Sequence, residues 1–348
     1  MKSSQAVPAR PGVALRPLSK RHSAASALER TRRWIWARRT AGFVMMLAAV
    51  CGIGTLGGLL ARWWWVLELT THFRVQYTLT LGLGAVLLLL LRRPWWCLVS
   101  VSFCVANAGL VLPAYLARPV GPERGQPLRV LSLNVNLHNT RSTDVVDLIR
   151  RTQPDFVLLI EATPRWVAQL QELRAEYRYF HAALPDGESG VIAYSRFPLE
   201  RTDAASPDGV MQRALAVRGS LAGVPLTIIG IHAQAPFGPA CARQRNHQLA
   251  ELAAWVKQRD EATIVLGDLN VTPWSPYFSG LLERTGLRDS RRGFGIQATW
   301  PAGFPPLWIP IDHCLVSTEV GVRRRSVEGN AGSDHYSVLL DLSVLDRQ

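Results

Sequence analysis

Residues 263–270 of this 348-residue chain read Thr-Ile-Val-Leu-Gly-Asp-Leu-Asn, a short apolar run that ends in polar residues. A run of this kind followed by a glycine is typical of a buried strand that ends at a turn. Asp268 and Asn270 therefore follow the predicted strand directly, where a sheet scaffold presents functional groups. One such placement is weak evidence, because an acidic residue after a strand is more often a turn or cap residue.

The same placement recurs around other apolar runs. The polar residues concerned are Asn134 and Asn136 after residues 128–133, Glu161 after 156–160, His232 after 226–231, Asp312 within 311–316, and Asp334 and His335 before 337–342. So many repetitions are hard to assign to chance. We therefore predict that these side chains meet at one site.

Strand-like runs alternate with helical patterns throughout residues 124–346, and two further runs lie at 190–194 and 214–217. Helical periodicity is found at residues 142–152, 164–177, 241–257 and 274–284. The last helix is predicted to begin after Thr272-Pro273, a capping residue and a first-turn proline. Many strands with helices between them predict an α/β (α+β) fold of two packed sheets flanked by helices.

The polar residue types suit phosphoester hydrolysis. Carboxylate and amide oxygens are hard ligands for Mg²⁺ or Mn²⁺, which bridge to phosphate oxygens. An Asp–His pair supplies an oriented imidazole for proton transfer or charge stabilisation. The chain has no P-loop. It also lacks a Gly-x-Ser-x-Gly motif, and this second absence argues against an α/β-hydrolase.

Taken in order, these motifs resemble the endonuclease/exonuclease/phosphatase superfamily, which includes pancreatic-type deoxyribonuclease, inositol polyphosphate phosphatases and neutral sphingomyelinases. The matching segments are Leu-Ser-Leu-Asn-Val-Asn (131–136), Leu-Ile-Glu (159–161), Gly-Val-Ile-Ala-Tyr-Ser-Arg-Phe-Pro-Leu (190–199), Gly-Asp-Leu-Asn (267–270), Ile-Asp-His (311–313) and Ser-Asp-His (333–335). The resemblance covers residues 126–342. It implies a four-layer α/β/β/α sandwich with the site at one rim.

The resemblance also implies three sets of site residues. Those expected to hold Mg²⁺ or Mn²⁺ are Glu161, as the principal ligand, Asn134, Asn136 and Asp334. Those expected to be catalytic are His335, Asp312, Asp268, His232 and Asn270, with Asp312 and His335 as a dyad. Those expected to contact the substrate are Asn270 and His232. Arg196 is a further candidate for substrate contact from its own position, because it could reach the phosphate, although Ser195-Arg196 is interpreted first as a structural strand-end feature. Asn136 stands where some members carry an Asp ligand, so the number of metal ions stays open.

Several other residues have a structural interpretation. His313 follows Asp312 and would point to the opposite face of a strand, so we interpret it as structural. Trp274, Trp300 and Trp308 are interpreted first as packing residues, and a role in shaping a substrate wall stays open. Five scattered cysteines show no metal-binding spacing, and a disulfide between Cys241 and Cys314 stays open.

The net charge of +13 lies entirely in the first 120 residues, which hold 15 Lys/Arg and two acids, Glu29 and Glu68. From Gly121 onward the chain holds 24 Lys/Arg and 24 Asp/Glu. A groove that follows a phosphate backbone would place the basic excess in the catalytic part. The charge therefore does not indicate nucleic-acid binding.

Three uncharged apolar runs, at residues 41–61, 75–91 and 94–117, are 21, 17 and 24 residues long. A bilayer span needs about 20 residues. We predict a basic, disordered cytoplasmic tail at 1–39, three transmembrane helices within 40–118, and a catalytic domain at 124–346. The basic tail and the Arg92-Arg93 turn are assigned to the cytoplasm, so three crossings place the catalytic domain outside it. Two crossings would reverse this.

The sequence thus predicts a multi-pass cell-membrane enzyme that hydrolyses phosphoester bonds. A lipid phosphate or pyrophosphate at the outer leaflet is the favoured substrate, because the anchor holds a domain of zero net charge near the bilayer. The arrangement resembles membrane-bound family members linked to glycopeptide resistance. The alternatives are an extracytoplasmic nuclease or phosphodiesterase acting on nucleic acid, and a non-catalytic binding protein. No obligate protein partner is inferred.

Overall fold

A computed structural model of the chain describes residues 18–185, 188–202, 211 and 214–345, with side chains from residue 28 onward. The helices are α1 (Leu18–Gly57), α2 (Trp65–Leu69), α3 (Arg74–Leu90), α4 (Pro94–Val111), α5 (Pro113–Leu116), α6 (Ser142–Thr152), α7 (Pro164–Gln169), α8 (Pro239–Val256) and α9 (Pro276–Thr285). The strands are β1 (Gln126–Asn134), β2 (Phe156–Ala162), β3 (Tyr179–Ala183), β4 (Gly190–Ser195), β5 (Leu199–Thr202), β6 (Ala214–Leu221), β7 (Val224–His232), β8 (Ala262–Asp268), β9 (Arg288–Asp289), β10 (Asp312–Val316), β11 (Val320–Val327) and β12 (Val338–Val344).

The strands form two six-stranded sheets, with the orders β11-β12-β1-β2-β4-β3 and β5-β6-β7-β8-β10-β9. The central pairs β1–β2 and β7–β8 are parallel. Their other neighbours run antiparallel to them. Each parallel pair therefore delivers two strand ends to the same edge of its sheet.

Alternation along the strands builds the layers, since successive side chains point to opposite faces. In β2, Leu158 and Ile160 enter the core between the sheets, whereas Val157 and Leu159 enter the core shared with α6 and α7. In the second sheet, Val265 of β8 packs in the core shared with α8 and α9. The predicted four-layer α/β/β/α sandwich is confirmed.

The helices of the sandwich differ from the prediction in two places. The pattern at 164–177 is divided into α7 and a 3₁₀ turn, Gln171–Ala175. The predicted start of α9 was wrong. Ser275 caps the helix by accepting a hydrogen bond from the Tyr277 backbone N–H, and Pro276 is its first residue. The Thr272 hydroxyl instead lies 2.9 Å from His72 Nδ1, so it is not available as a cap.

The cysteines are all free, so the Cys241–Cys314 disulfide does not form in this structure. Cys314 lies on β10 in the core between the sheets, and Cys241 lies on α8 in an outer layer. Burial raises the pKa of the Cys314 thiol to about 12, because the thiolate would lose its hydration.

Three helical segments, at residues 28–60, 65–90 and 94–116, are long and apolar enough to cross a membrane. They pack together as a bundle. Asn107 near the end of α4 donates to Thr55 near the end of α1, at 2.8 Å. Arg74 at the start of α3 donates to Asn107 at 2.9 Å. These three helix ends therefore lie together, and the Arg92-Arg93 turn lies at the far end of the bundle.

The predicted basic tail divides into two parts. Residues 1–17 lie outside the described residues, and residues 18–39 are the first half of α1 rather than disordered chain. Leu, Ala, Arg and Glu, which favour helix, make up much of this stretch. Glu29 and Arg33 also form an i,i+4 ion pair of 3.6 Å on its surface.

Candidate active site

The polar residues at the strand ends meet at one rim of the sandwich. Asn134 ends β1, and Glu161 lies at the end of the neighbouring β2. In the second sheet, Asp268 is the register partner of His232 in β7 and of Asp312 in β10. A 3.3 Å hydrogen bond from Asn134 Nδ2 to Asp268 Oδ2 joins the two sheets at this rim.

Asp312 and His335 form a buried pair in which Asp312 Oδ2 lies 2.8 Å from His335 Nδ1. Ser333 fixes the loop that carries the histidine, because its hydroxyl donates to the Asn134 carbonyl at 2.6 Å and accepts from the His335 N–H at 3.0 Å. His335 Nε2 lies 3.8 Å from Asp268 Oδ2. The imidazole is therefore held by one carboxylate and directed towards a second.

The charges of these groups depend on one another. Burial lowers the pKa of His335, but the charge and hydrogen bond of Asp312, with Asp268, outweigh it and raise the pKa to about 10. Burial would raise the pKa of Asp312, but His335 brings it below its ordinary value. For Asp268, burial and the charge of Asp312 raise the pKa to about 8. One imidazolium thus does not neutralise the carboxyl groups gathered here.

Glu161 has an unusual backbone conformation. Its φ of 60° lies in the left-handed region, and the register of β2 with β4 shifts between Ile160 and Ala162 on either side of it. Such a bulge turns one side chain away from the regular strand direction. Glu161 Oε1 accepts from Asn134 Nδ2, Oε2 accepts from the Leu137 N–H, and each distance is 3.0 Å.

Two asparagines at the rim also have positive φ, 61° for Asn136 and 48° for Asn270. Asn136 Nδ2 donates to Asp334 Oδ1 at 2.6 Å. The Asn270 N–H donates to Asp268 Oδ1 at 2.9 Å, and Asn270 Nδ2 donates to the Ala233 carbonyl at 2.8 Å. Strained non-glycine backbone of this kind is concentrated at functional sites.

A cavity of about 500 Å³ lies over these groups. Its polar side is formed by Glu161, His232, Asp268, Asn270, Asp334 and His335. Its apolar side includes Phe237 and Ile309 of the sandwich. Leu69 and Phe73, from the segment between α1 and α3, complete this side. The apolar N-terminal region therefore contributes directly to the wall of the site.

A buried ion pair holds that segment in place. Glu68 Oε2 accepts from Arg245 at 2.7 Å, with both side chains fully buried, and Glu68 Oε1 accepts from the Ser275 hydroxyl at 2.7 Å. Arg245 also donates to the Asn270 carbonyl at 2.9 Å. No sequence motif predicts this pair. The available signal was that Glu68 is the single acidic residue between Glu29 and Glu123, whereas Arg245 carries no such signal.

Residues 131–335, more than half of the chain, match the Endonuclease/Exonuclease/phosphatase family. The chain belongs to this family. It is accordingly a hydrolase of phosphoester bonds that acts on phosphate-containing substrates, and the family generally uses a divalent metal ion. A comparison with curated proteins gave no match.

Solved structures of family members share the fold. D. rerio TDP2 in complex with a single-stranded DNA product is 20% identical, with a TM-score of 0.52 over 62% of this chain and 98% of that one. TDP2 from Caenorhabditis elegans is 18% identical, with a TM-score of 0.53 over 75% of this chain and 89% of that one. At these identities the similarity concerns the fold alone.

The donor set fits the metal ion that the family uses. Glu161 and Asp334 offer hard carboxylate oxygens beside the amides of Asn134 and Asn136, and the raised pKa of Asp268 marks a site short of positive charge. Ligand atoms of Asp268, Asp312 and His335 also lie within 4.8 Å of one another. His335 carries a positive charge beside Asp312 and would repel a cation there, so the Glu161 side suits the ion better.

The structure brings together nine of the ten residues proposed for the site. Arg196 is not among them. It follows β4, whose last residue Ser195 pairs with Phe156 at the start of β2, while Glu161 is at the other end. Its guanidinium donates to Gln153 Oε1 at 2.6 Å. Because β4 runs antiparallel to β2, its end lies at the opposite rim, and the expected substrate contact of Arg196 is withdrawn.

The structural interpretations of His313 and Trp300 have different outcomes. His313 is buried on the face of β10 away from the site, with Nε2 2.7 Å from the Val271 carbonyl, so its structural role is confirmed. Trp300 is more than a packing residue, since its indole N–H donates to Asp334 Oδ2 at 3.1 Å and its ring lines the cavity.

Proposed function

We propose that this enzyme hydrolyses the phosphate or pyrophosphate of a membrane lipid, using Mg²⁺ or Mn²⁺, with its catalytic domain outside the cytoplasm. One observation carries the proposal. The cavity that contains Glu161 and His335 is closed on one side by Leu69 and Phe73, which lie between α1 and α3 in the first part of the apolar segment at residues 65–90. A substrate in this cavity would place its phosphate against the polar side and an apolar group against the other.

The composition of the cavity supports a lipid over a nucleic acid. Phe237, 89% exposed, stands at its apolar side. Among the described residues that line it there is no Lys or Arg. Binding to a nucleic-acid backbone depends on such cations, whereas a single phosphate beside a metal ion does not require a basic track.

The helix ends support the orientation. The end of α1 and the start of α3 lie beside the catalytic domain, and the basic Arg92-Arg93 turn is at the other end of the bundle. Basic loops favour the cytoplasmic side. Trp63 and Trp64, 83% and 55% exposed, lie at the catalytic end, where indole rings prefer the headgroup region. The cavity would then sit at the level of the lipid headgroups.

The residues suggest how the reaction proceeds. Asp312 holds Nδ1 of His335, so the imidazolium directs Nε2 at the phosphoryl group and stabilises its negative charge. Asp268, whose pKa is about 8, acts in its ionised form and accepts a proton from the attacking water as the water oxygen bonds to phosphorus. The leaving oxygen departs with the electron pair of the broken P–O bond. Asn270 and His232 contact the phosphate. A divalent ion held by Glu161, Asn134, Asn136 and Asp334 would supply further neutralisation of phosphate charge when bound.

A nuclease is the second candidate, favoured by the fold shared with D. rerio TDP2, whose structure holds a single-stranded DNA product. The absence of Lys and Arg among the described cavity residues opposes it. A non-catalytic binding protein is disfavoured, because the Asp312–His335 pair and the carboxylates around it are assembled.

A substrate panel tests the proposal. Full-length protein in detergent with Mg²⁺ or Mn²⁺ is given a polyprenyl pyrophosphate, a phospholipid, plasmid and single-stranded DNA, and a bis-aryl phosphodiester. We expect phosphate release from the lipid to be fastest and to vanish in Glu161→Ala. Preference for either DNA would overturn the proposal. Alkaline phosphatase fused after residue 348 should be active in cells, and a well-expressed but inactive fusion would refute the orientation.

A further inference from the structure

We propose that a second cavity, between α3 and the loop at residues 300–309, binds the hydrocarbon chain of the lipid whose phosphate is cleaved. We call it the α3 groove and define it by Val75, Leu79, Thr80, Ile296, Pro305 and Trp308. Its volume is about 870 Å³, within the range of ligand sites. The inference rests on the proposed lipid substrate and adds where the chain lies.

The α3 groove lies beside an apolar helix. Val75, Leu79 and Thr80 occupy the first two turns of α3, inside the candidate span at residues 65–90. Leu79 is 68% exposed, although it belongs to this apolar helix. On the proposed arrangement, the exposed face of such a helix meets lipid tails, so the groove opens to the hydrocarbon side of the headgroups.

One loop separates the α3 groove from the catalytic cavity. Trp300 and Ile309 form an isolated β-bridge at the base of this loop and line the catalytic cavity. Pro305 and Trp308, between them in sequence, line the α3 groove. The neighbouring residues His335 and Tyr336 are divided in the same way between the two cavities. A chain attached to a phosphate at His335 would therefore enter the groove by passing this loop.

Contacts to the bundle hold the loop in position. Gln76 Nε2 of α3 donates to the Trp308 carbonyl at 2.9 Å, and the Trp308 ring packs edge-on against Tyr336 at 6.0 Å between centroids. The groove is therefore built jointly by the membrane bundle and the catalytic domain. Its shape would change if either part moved.

The charges of the side chains that line the α3 groove favour one kind of ligand over another. In the part of the chain that the structure describes, Glu328 is the one charged side chain that lines it. A polyanion such as nucleic acid would meet no cation there, whereas a hydrocarbon chain needs none. Apolar surface of this extent at the level of a bilayer matches an isoprenoid or acyl chain.

A filling substitution tests the assignment in the full-length protein reconstituted in lipid nanodiscs. Thr80→Trp fills the groove, and Leu83→Trp, on the same helix at a position 65% exposed and outside the groove, is the matched control. The probes are a long-chain polyprenyl pyrophosphate and farnesyl pyrophosphate. Because one methylene in an apolar pocket changes discrimination by about tenfold or more, Thr80→Trp should raise KM for the long chain at least about tenfold. It should leave kcat for the long-chain substrate unchanged, and it should leave both KM and kcat for farnesyl pyrophosphate unchanged.

A direct measurement covers the case in which Thr80→Trp does not fold. A polyprenyl pyrophosphate with a photoreactive group on its chain is irradiated with the wild-type protein, and crosslinked peptides are mapped by mass spectrometry. Crosslinks should fall on residues 75–80 and 305–308 and should disappear with excess unlabelled pyrophosphate. Crosslinks that persist under competition would mean ordinary bilayer lipid and overturn the assignment.

The two proposals fail differently. Hydrolysis of both pyrophosphates, with Thr80→Trp equal to Leu83→Trp, would leave the lipid phosphatase standing and remove the groove as a chain site. If the protein cleaves DNA and hydrolyses neither pyrophosphate, both the lipid-phosphatase proposal and the chain site in the α3 groove are wrong.

Discussion

Glu68 of α2 forms a fully buried ion pair with Arg245 of α8, 177 positions later, with 2.7 Å between Oε2 and the guanidinium. Each partner has a further task. Glu68 also receives the Ser275 hydroxyl, and Arg245 donates to the carbonyl of Asn270. The pair therefore connects the apolar helix bundle to the loop that carries a proposed catalytic residue.

Removing either partner should destabilise the protein strongly. Glu68→Ala leaves Arg245 as an uncompensated buried charge, which costs about 3–5 kcal/mol. Thermal unfolding of the full-length protein in detergent measures this loss. The control is Glu29→Ala, which breaks the exposed pair with Arg33 and should leave the transition unchanged. Equal transitions for the two variants would contradict a structural role for the buried pair.

Substitution of Asp312 should impair catalysis even where the protein remains folded. Asp312→Asn keeps the side-chain shape but removes the charge that holds the His335 imidazolium, so we expect kcat to fall about 10³–10⁴-fold, as in other carboxylate–histidine sites. The unfolding temperature should also fall, because the buried His335 imidazolium loses the charge of its partner, so kcat is compared at a temperature at which both proteins are folded. His247→Ala, at a surface position of α8, is the control and should keep full activity. If kcat falls by less than tenfold, Asp312 and His335 do not act together as a catalytic dyad.

The metal ion should be detectable without an activity assay. Treatment with a chelator should abolish phosphate release, and Mg²⁺ should raise the unfolding temperature, because a ligand at a hundredfold excess over its Kd stabilises by about 2.7 kcal/mol. Glu161→Gln should lose most of this thermal shift. A shift of wild-type size in Glu161→Gln would remove Glu161 from the ligand set.

His313 should make stability depend on pH. Burial, with a smaller contribution from Arg291, lowers the pKa of His313 to about 3. The unfolded chain binds the proton below pH of about 6.5 while the folded one does not, so this contribution is complete above pH 6.5 and is lost as the pH falls towards 3. The wild-type unfolding temperature should therefore drop more steeply between pH 7 and 4 than that of His313→Gln. Parallel profiles would show that His313 titrates normally.

The layers and most of the site follow from local sequence patterns. Alternation in segments such as 156–160 shows which side chains face each core, and Glu161 and Asp268 are recognised because they follow such segments directly. Arg196 shows where this reasoning fails. The rule that function lies at strand ends needs the direction of the strand, and β4 runs opposite to β2. Strand direction is set by pairing, which has no signature within the strand itself.

Contacts between segments that are distant in the sequence could not be predicted from it either. No periodicity connects Glu68 with Arg245, and the position of Phe73 in the cavity wall depends on how the bundle docks on the sandwich. The start of α9 was misplaced for a similar reason, because the Thr272 hydroxyl is engaged by His72, which lies 200 positions earlier.

The wall formed by Leu69 and Phe73 fixes the height of the catalytic cavity relative to the bundle. On the proposed arrangement, the enzyme would meet its substrate by lateral diffusion in one leaflet. Its rate would then follow the mole fraction of substrate among neighbouring lipids rather than the amount per volume of solution. Diluting the substrate with inert phospholipid should slow turnover, even when the total amount of substrate in the tube is constant.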